Sequence, residues 1–160
     1  MAMRCQFMDY KIMINMEVGT RIHYPIILKV WESSVRDTHD FLQEQDIQAL
    51  RPLILHKYLP GLTITFARLS CDSSILGFTG VSENRIEMLF VDADQRGKGI
   101  GKLLLLHAIN EQGADELDVN EQNTQAITFY KKHGFETVGR SEVDGQDRPY
   151  PLLHMKLRGT

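Results

Sequence analysis

The stretch that decides the fold is Gln95-Arg96-Gly97-Lys98-Gly99-Ile100-Gly101. It separates an apolar run over residues 86–91, typical of a β-strand, from an apolar periodic segment over residues 100–109, typical of a helix. Glycine at alternate positions allows a tight turn, and the first N–H groups of the following helix lack acceptors within that helix. With the helix dipole and the positive charges of Arg96 and Lys98, this loop predicts a binding site for a phosphate-containing ligand.

Two other phosphate-binding loops fit this spacing poorly. A P-loop requires Ser or Thr directly after its Gly-Lys pair, whereas Gly99 follows Lys98. A dinucleotide-binding loop has two residues before its last glycine, but a single residue separates Gly99 from Gly101. An enzyme of nucleoside triphosphates is therefore disfavoured, and an ordinary glycine-rich turn is the remaining structural alternative.

With its flanks, the loop resembles the Q/R-x-x-G-x-G/A signature of the GNAT superfamily of N-acetyltransferases. About thirty residues downstream, the stretch Asn123-Thr124-Gln125-Ala126-Ile127-Thr128-Phe129-Tyr130-Lys131-Lys132-His133-Gly134-Phe135 resembles the family's N-x-x-A-x-x-F-Y-x-x-x-G-F element. Two motifs in this order are far more specific than either alone. The tracts 31–42, 139–143 and 149–153 also resemble a bacterial group of small, single-domain members.

The hydrophobic pattern predicts an α/β fold with a mixed sheet of about seven strands flanked by about four helices, which the GNAT resemblance also implies. We expect strands over residues 11–17, 62–69, 75–81, 86–91, 114–119, 135–143 and 152–157. We expect helices over residues 24–35, 46–58, 100–109 and 124–133. Pro52 predicts either a kink in the second helix or a helix that begins near Arg51. Successive short strands favour antiparallel pairing, while the strand-helix-strand unit around the glycine loop requires parallel pairing.

The composition fits one cytoplasmic domain. The chain has 160 residues and a net charge of −3, so no excess of positive charge favours nucleic acid or an anionic membrane. Cys5 and Cys71 are too few for a disulfide framework or a zinc site, so we expect both to be bystanders and no metal to be bound. No stretch is long enough to cross a membrane, and residues 1–9 lack the pattern of a secretory signal. We expect a single GNAT domain over residues 10–160, with residues 1–9 as an N-terminal extension.

The resemblance implies that acetyl-CoA is the co-substrate. Its pyrophosphate is expected at the loop, where the matching residues are Gln95, Arg96, Gly97, Lys98, Gly99, Ile100 and Gly101. Its pantetheine arm is expected beside the preceding strand, at Leu89, Phe90 and Val91, which also fit an ordinary core strand. Asn123 matches a family asparagine near the cofactor and fits equally well as the cap of the helix that follows.

Acetyl transfer to an amine requires a proton donor for the thiolate and a neutral amine. Tyr130 matches the family tyrosine near the coenzyme sulfur, which implies a general acid in contact with the cofactor, although its helical spacing also fits a core tyrosine. Main-chain N–H groups near Leu89 are expected to polarise the thioester carbonyl. The candidate bases are Glu87, Asp118 and His39, each of which also fits an ordinary solvent-exposed side chain. Weaker candidates for the acceptor pocket are Arg148 and Tyr150.

The sequence therefore predicts an N-acetyltransferase that moves an acetyl group from acetyl-CoA to a primary amine by direct attack in a ternary complex. The acceptor is a small molecule, a protein lysine or a protein N-terminus, and the enzyme is a monomer or a homodimer. The alternative from another class is a non-catalytic acyl-CoA sensor that regulates a partner. The presence of Tyr130 and of two candidate carboxylates favours the enzyme.

Overall fold

A computed structural model describes residues 13–71 and 73–159. In this part of the chain, seven strands form one sheet in the order β1-β2-β3-β4-β5-β7-β6, and four α-helices flank it. The strands are β1 Ile14–Val18, β2 Thr63–Leu69, β3 Ile75–Ser82, β4 Arg85–Val91, β5 Glu116–Asn120, β6 Phe135–Ser141 and β7 Leu152–Leu157; the helices are α1 Tyr24–Thr38, α2 Glu44–Leu53, α3 Ile100–Gln112 and α4 Thr124–Lys132. The predicted α/β fold is confirmed. The predicted extension, Cys5 and the first two residues of the predicted first strand lie outside the described residues.

The strand pairing follows the predicted division of the sheet. Strands β1 to β4 are antiparallel neighbours, β4 and β5 are parallel, and β7 pairs antiparallel with both β5 and β6. Helix α3 continues three residues beyond its predicted end because its turns persist until Gly113, whose φ of 67° ends it in a left-handed conformation. Strand β6 ends two residues earlier than predicted.

The predicted helix over residues 46–58 is divided. Helix α2 gives way to a π-helical turn over Ile54–Tyr58, two residues after Pro52. Proline has no N–H to donate, so one hydrogen bond of the ladder is missing at Pro52, although the Ile54 N–H still donates to the Leu50 carbonyl. The anticipated kink is thus a change of helical type.

The two faces of the sheet are covered unequally. Helix α1 packs on one face through Ile27, Val30 and Trp31, while α3 packs on the other through Leu104 and Leu105. On β5 and β7 the apolar side chains point to the α3 side and are buried (Leu117, Val119 and Met155). The opposite face of these two strands carries polar side chains, and this open face borders the candidate site.

Two further features bear on the expectations from composition. Cys71, in the turn after β2, is disulfide-bonded, which corrects the expectation that it is a bystander. Among the helices in residues 13–71 and 73–159, none combines the length and apolar character needed to span a membrane.

Candidate active site

A cleft opens where β4 and β5 part. The two strands pair only at Arg85 with Glu116 and at Ile86 with Leu117, after which they diverge. The cavity between them has a volume of about 620 Å³ and is lined by both strands, the glycine loop, the first turn of α3, one side of α4 along its length, and the end of α1. Because β4 leads into the glycine loop, this cleft joins the predicted pantetheine and pyrophosphate positions.

A β-bulge at Glu87 shapes the cleft wall. Val81 of β3 pairs with Ile86, and the preceding Gly80 pairs with Met88, so Glu87 is an extra residue in β4. A bulge bends its strand and shifts the alternation of side chains by one residue. Accordingly, Ile86 and Leu89, three positions apart, both pack on the α3 side, whereas Met88 packs on the α1 side.

Beyond the bulge, the main chain of β4 offers polar groups to the cleft. The Asp92 N–H donates to the Leu76 carbonyl of β3 at 2.9 Å. Because hydrogen-bonding direction alternates along a strand, the N–H and C=O groups of Phe90 also point toward β3. The N–H and C=O groups of Leu89 and Val91 therefore point away from β3, on the side where β5 has separated. Phe90 borders the cleft with its side chain and pairs through its main chain with β3.

The glycine loop provides open space beside a helix N-terminus. Gly97 and Gly99 have φ angles of 76° and 82°, and a Cβ added to either would meet no heavy atom within 4 Å. Left-handed backbone strongly favours glycine, and the first amides of α3 have no acceptor within the helix. Six of the seven predicted loop residues line the cleft; the exception is Lys98, whose Nζ lies 3.1 Å from Gln95 Oε1. This local structure fits an anion approaching the backbone.

Arg96 ties two helices together across the cleft. Its Nη1 donates to Asp37 Oδ2 at 2.7 Å, and its Nη2 donates to Gln125 Oε1 at 2.9 Å. Asp37 belongs to α1 and Gln125 to α4. A phosphate group that approaches Arg96 must therefore share or replace the Asp37 carboxylate.

Tyr130 is both a core residue and a cleft residue. It is only 8% exposed, and its ring packs at centroid distances of 5.3 Å from Phe129 and 5.9 Å from Phe135. Burial raises the pKa of its phenol well above the ordinary value, so the hydroxyl keeps its proton. Within the described part of the chain, no group forms a hydrogen bond with this hydroxyl, and Tyr130 lines the cleft. The phenol is thus held rigidly as a potential proton donor.

Asn123 and His39 connect α4 to the end of α1. The Asn123 side-chain oxygen accepts from the Ala126 N–H at 3.2 Å, so Asn123 does act as the cap of α4. Its Nδ2 lies 3.5 Å from His39 Nε2, and both residues line the cleft. This link fixes the N-terminal end of the helix that carries Tyr130.

The contacts of His39 argue against its predicted role as a base. Its Nδ1 lies 2.7 Å from Thr38 Oγ1, and the Thr38 hydroxyl already donates to the Ser34 carbonyl. His39 Nδ1 must therefore carry the hydrogen, which leaves Nε2 to accept from Asn123. Burial lowers the His39 pKa to about 4, and the nearby Arg96 charge acts in the same direction. The imidazole is neutral at physiological pH and a weak proton acceptor.

Glu87 and Asp118 face the cleft and share Arg85 between them. Arg85 Nη1 lies 3.0 Å from Asp118 Oδ1, and its Nε lies 3.9 Å from a Glu87 oxygen. Partial burial raises the Glu87 pKa; Arg85 opposes this shift and the Asp118 charge reinforces it. The raised pKa makes the Glu87 carboxylate a better proton acceptor than an ordinary glutamate. Asp118 Oδ1 also lies 2.6 Å from His154 Nδ1, whereas Oδ2 has no hydrogen-bond partner among the described residues.

Arg148 and Tyr150 do not line the cleft. The Tyr150 hydroxyl donates to Asp46 Oδ2 at 2.7 Å, and Arg148 Nη1 lies 3.9 Å from the other Asp46 oxygen. These contacts attach the β6–β7 loop to α2. In the structure these two residues thus join the loop to the helix, and their expected place in the acceptor pocket remains a prediction.

Sequence reasoning missed Arg85, His154 and Ser141. Arg85 and His154 reach Asp118 from the neighbouring strands β4 and β7, and Ser141 Oγ on β6 lies 2.7 Å from His154 Nε2. No sequence motif links these positions, because strand register alone brings them together. Among the residues the structure describes, no group of three or more His, Cys, Asp or Glu side chains is placed to hold a metal ion.

Comparison with known proteins places the chain in a family. Residues 55–158 match the acetyltransferase (GNAT) domain model. The chain is 40% identical to peptidyl-lysine N-acetyltransferase YjaB of Salmonella typhimurium over 90% of its own length and 98% of the relative. It superposes on the solution structure of apo YjaB from Escherichia coli with a TM-score of 0.81 at 35% identity, covering 92% of this chain and 99% of the other.

A more distant structure shares the fold and holds the cofactor. The PaiA N-acetyltransferase of Thermoplasma acidophilum, solved in complex with coenzyme A, superposes with a TM-score of 0.68 at 21% identity, covering 89% of this chain and 98% of the other. The predictions of the fold, the activity and the co-substrate are therefore confirmed together. This chain belongs to the GNAT acetyltransferase family and is an acetyl-CoA-dependent N-acetyltransferase.

Proposed function

We propose that this protein acetylates lysine ε-amines of other proteins, with Glu87, Asp118 and Tyr130 at the reaction centre. The observation that carries the proposal is that two carboxylates and one buried, protonated phenol line the same cleft. The relatives named peptidyl-lysine N-acetyltransferases support a lysine acceptor over a small molecule.

The charges along the cleft favour a cationic acceptor. Arg96, Lys102 and Lys132 line it together with the N-terminus of α3, which suits phosphate groups. The anionic side chains that line it are Glu87 and Asp118, on strands β4 and β5. A lysine ammonium at these carboxylates and coenzyme phosphates at the cations complement both signs of charge.

Each residue has a distinct part in the reaction. Acetyl-CoA, when bound, supplies an acetyl group activated as a thioester. The loop amides and Arg96 bind its phosphates, while the main-chain groups of Leu89 and Val91 hold the pantetheine arm and polarise the carbonyl. Glu87 accepts the proton of the lysine ammonium, and Asp118 Oδ2 orients that ammonium. The neutral amine attacks the thioester carbonyl, and its C–N bond forms as the C–S bond breaks. Tyr130 donates its proton to the departing sulfur, and the remaining excess proton of the new amide nitrogen restores the phenol.

In the test, wild-type protein and acetyl-CoA are mixed with one of three classes of acceptor. These are peptides with an internal lysine and a blocked N-terminus, lysine-free peptides with a free N-terminus, and small polyamines. We expect release of coenzyme A and acetylation with the lysine peptides, and about a hundredfold lower turnover for Glu87→Gln. Acetylation of polyamines or N-termini alone would refute the lysine acceptor. Calorimetric binding of coenzyme A without release in any mixture would favour the acyl-CoA sensor.

We further propose that residues 10–160 form one domain that acts in the cytoplasm as a monomer or homodimer. Support for one domain comes from the single sheet, which includes the first and last described strands. Light scattering after size-exclusion chromatography distinguishes the two oligomeric states.

A further inference from the structure

A triad of hydrogen-bonded polar side chains crosses the open face of the sheet beside the cleft. It consists of Ser141 at the end of β6, His154 on β7 and Asp118 on β5. Ser141 Oγ lies 2.7 Å from His154 Nε2, and His154 Nδ1 lies 2.6 Å from Asp118 Oδ1. The first separation is that of an ordinary hydrogen bond and the second is short for one, so the three residues form one continuous hydrogen-bonded triad.

The direction of these hydrogen bonds follows from the chemistry of the groups. An ionised carboxylate only accepts, so His154 Nδ1 carries the hydrogen that Asp118 receives. In the neutral imidazole, Nε2 then has a free lone pair, and the Ser141 hydroxyl must donate to it. This arrangement lets a histidine take the proton of a serine hydroxyl while a carboxylate orients the ring.

The strands hold this arrangement in place. Register pairs Asp118 with His154 across β5 and β7, and His154 with Gly139 across β7 and β6. A Cβ on Gly139 would come within 3.3 Å of His154 Cδ2, so glycine lets the imidazole lie close against β6. Arg85 fixes the same Asp118 oxygen at 3.0 Å. The geometry is thus set by rigid elements, as a reactive site requires.

The side chains of this triad are also accessible from solvent. The side chains of His154 and Asp118 are 35% and 32% exposed, and Ser141 is half-buried. Helix α1 packs against β3 and β4, while the apolar cluster under β5 and β7 lies on the other face of the sheet. Neither Ser141 nor His154 lines the coenzyme cleft, so an ester at Ser141 would lie outside it.

We propose that Ser141, His154 and Asp118 form a nucleophilic serine site that hydrolyses small activated esters. Ser141 Oγ bonds to the ester carbonyl carbon as its proton moves to His154 Nε2, and the alcohol leaves with that proton as its C–O bond breaks. Water then attacks the acyl-serine, giving one proton to His154, which returns it to Ser141 as the acid is released. Arg85 shares the Asp118 carboxylate and weakens its support of the imidazolium, so turnover is slow compared with dedicated esterases.

The proposal is tested on the full chain without coenzyme A, using a fluorophosphonate probe and p-nitrophenyl acetate. The wild type should carry the probe on Ser141, located by peptide mass spectrometry. Ser141→Ala and His154→Gln should each lower ester hydrolysis by about tenfold or more. Ser82→Ala, which alters a similarly half-buried serine at the end of β3, should change neither readout.

Absence of probe on Ser141 in the wild type would overturn the proposal, as would equal hydrolysis rates in wild type, Ser141→Ala and His154→Gln. Circular dichroism and calorimetric binding of coenzyme A establish that each variant is folded. Tyr130→Phe should keep ester hydrolysis while it lowers acetyl transfer. The two activities use different donors, so failure of the ester assay leaves the proposed lysine acetylation untouched, and the reverse also holds.

Discussion

Replacement of Gly99 by alanine separates backbone strain from cofactor binding. Gly99 has a φ of 82° with open space beside it, so the new methyl group meets no protein atom but must adopt a left-handed conformation. That conformation costs an L-residue about 1–2 kcal/mol, partly offset by the lower entropy of the unfolded alanine chain. We expect a net loss of about 1 kcal/mol in the free energy of unfolding, which lowers Tm by about 2–4 °C in a chain of this size.

The effect of Gly99→Ala on coenzyme A should be larger than this strain suggests. The methyl group projects into the space beside the first amides of α3, where the phosphate oxygens are expected. Loss of one charge-assisted hydrogen bond costs about 1.5–3 kcal/mol, which corresponds to a dissociation constant roughly tenfold to a hundredfold higher. Gly99→Glu should abolish detectable binding, because it adds volume and negative charge to the same space.

Gly113 provides the matched control at the other end of the same helix. Its φ is 67°, a Cβ there also meets nothing within 4 Å, and it does not line the cleft. Gly113→Ala should therefore lower Tm as much as Gly99→Ala and leave the calorimetric affinity for coenzyme A unchanged. Equal affinities in the two variants would refute the placement of the pyrophosphate at the glycine loop.

Three further variants test separate parts of the site. In the wild type, the midpoint of the acid limb of the pH–turnover profile should lie above the ordinary glutamate pKa, because burial raises the Glu87 pKa. Glu87→Gln should remove this limb, and an unchanged profile would exclude Glu87 as the base. Asp37→Asn should tighten coenzyme A binding by up to about fivefold at low salt, because the half-exposed ion pair with Arg96 is worth about 1 kcal/mol at most; weaker binding would contradict this competition. Asn123→Ala should cost about 1 kcal/mol of unfolding free energy through loss of the α4 cap, and an unchanged Tm would count against that cap.

The sequence predicted those features that depend on local pattern. The glycine loop and the Asn123–Phe135 element indicated residues that the folded chain gathers around one cleft, and hydrophobic periodicity located each described strand and α-helix within a few residues. Strand β4 illustrates the limit. Its apolar run is evident, but the bulge at Glu87 arises from the register with β3, so alternation alone cannot reveal which residues face the cleft.

The remaining differences have the same origin in tertiary contact. Tyr150 is drawn to Asp46, more than one hundred residues earlier, which a reading of the local sequence could not foresee. His154 and Ser141 meet Asp118 only through the order of the strands, in which β7 lies between β5 and β6. His39 lines the cleft, but its lowered pKa depends on burial and on the Arg96 charge. Its tautomer depends on a hydrogen bond to Thr38 and one from Asn123, and only the folded chain provides these contacts.

The measurement that most directly tests the central claim compares wild type with Tyr130→Phe. It records the release of coenzyme A from acetyl-CoA in the presence of a lysine peptide, and calorimetry measures the binding of coenzyme A in parallel. The phenylalanine ring keeps the contacts with Phe129 and Phe135 while the proton donor is lost. We predict unchanged affinity for coenzyme A and turnover lower by about a hundredfold. Equal turnover across the pH range would contradict the account and leave Tyr130 as a core tyrosine.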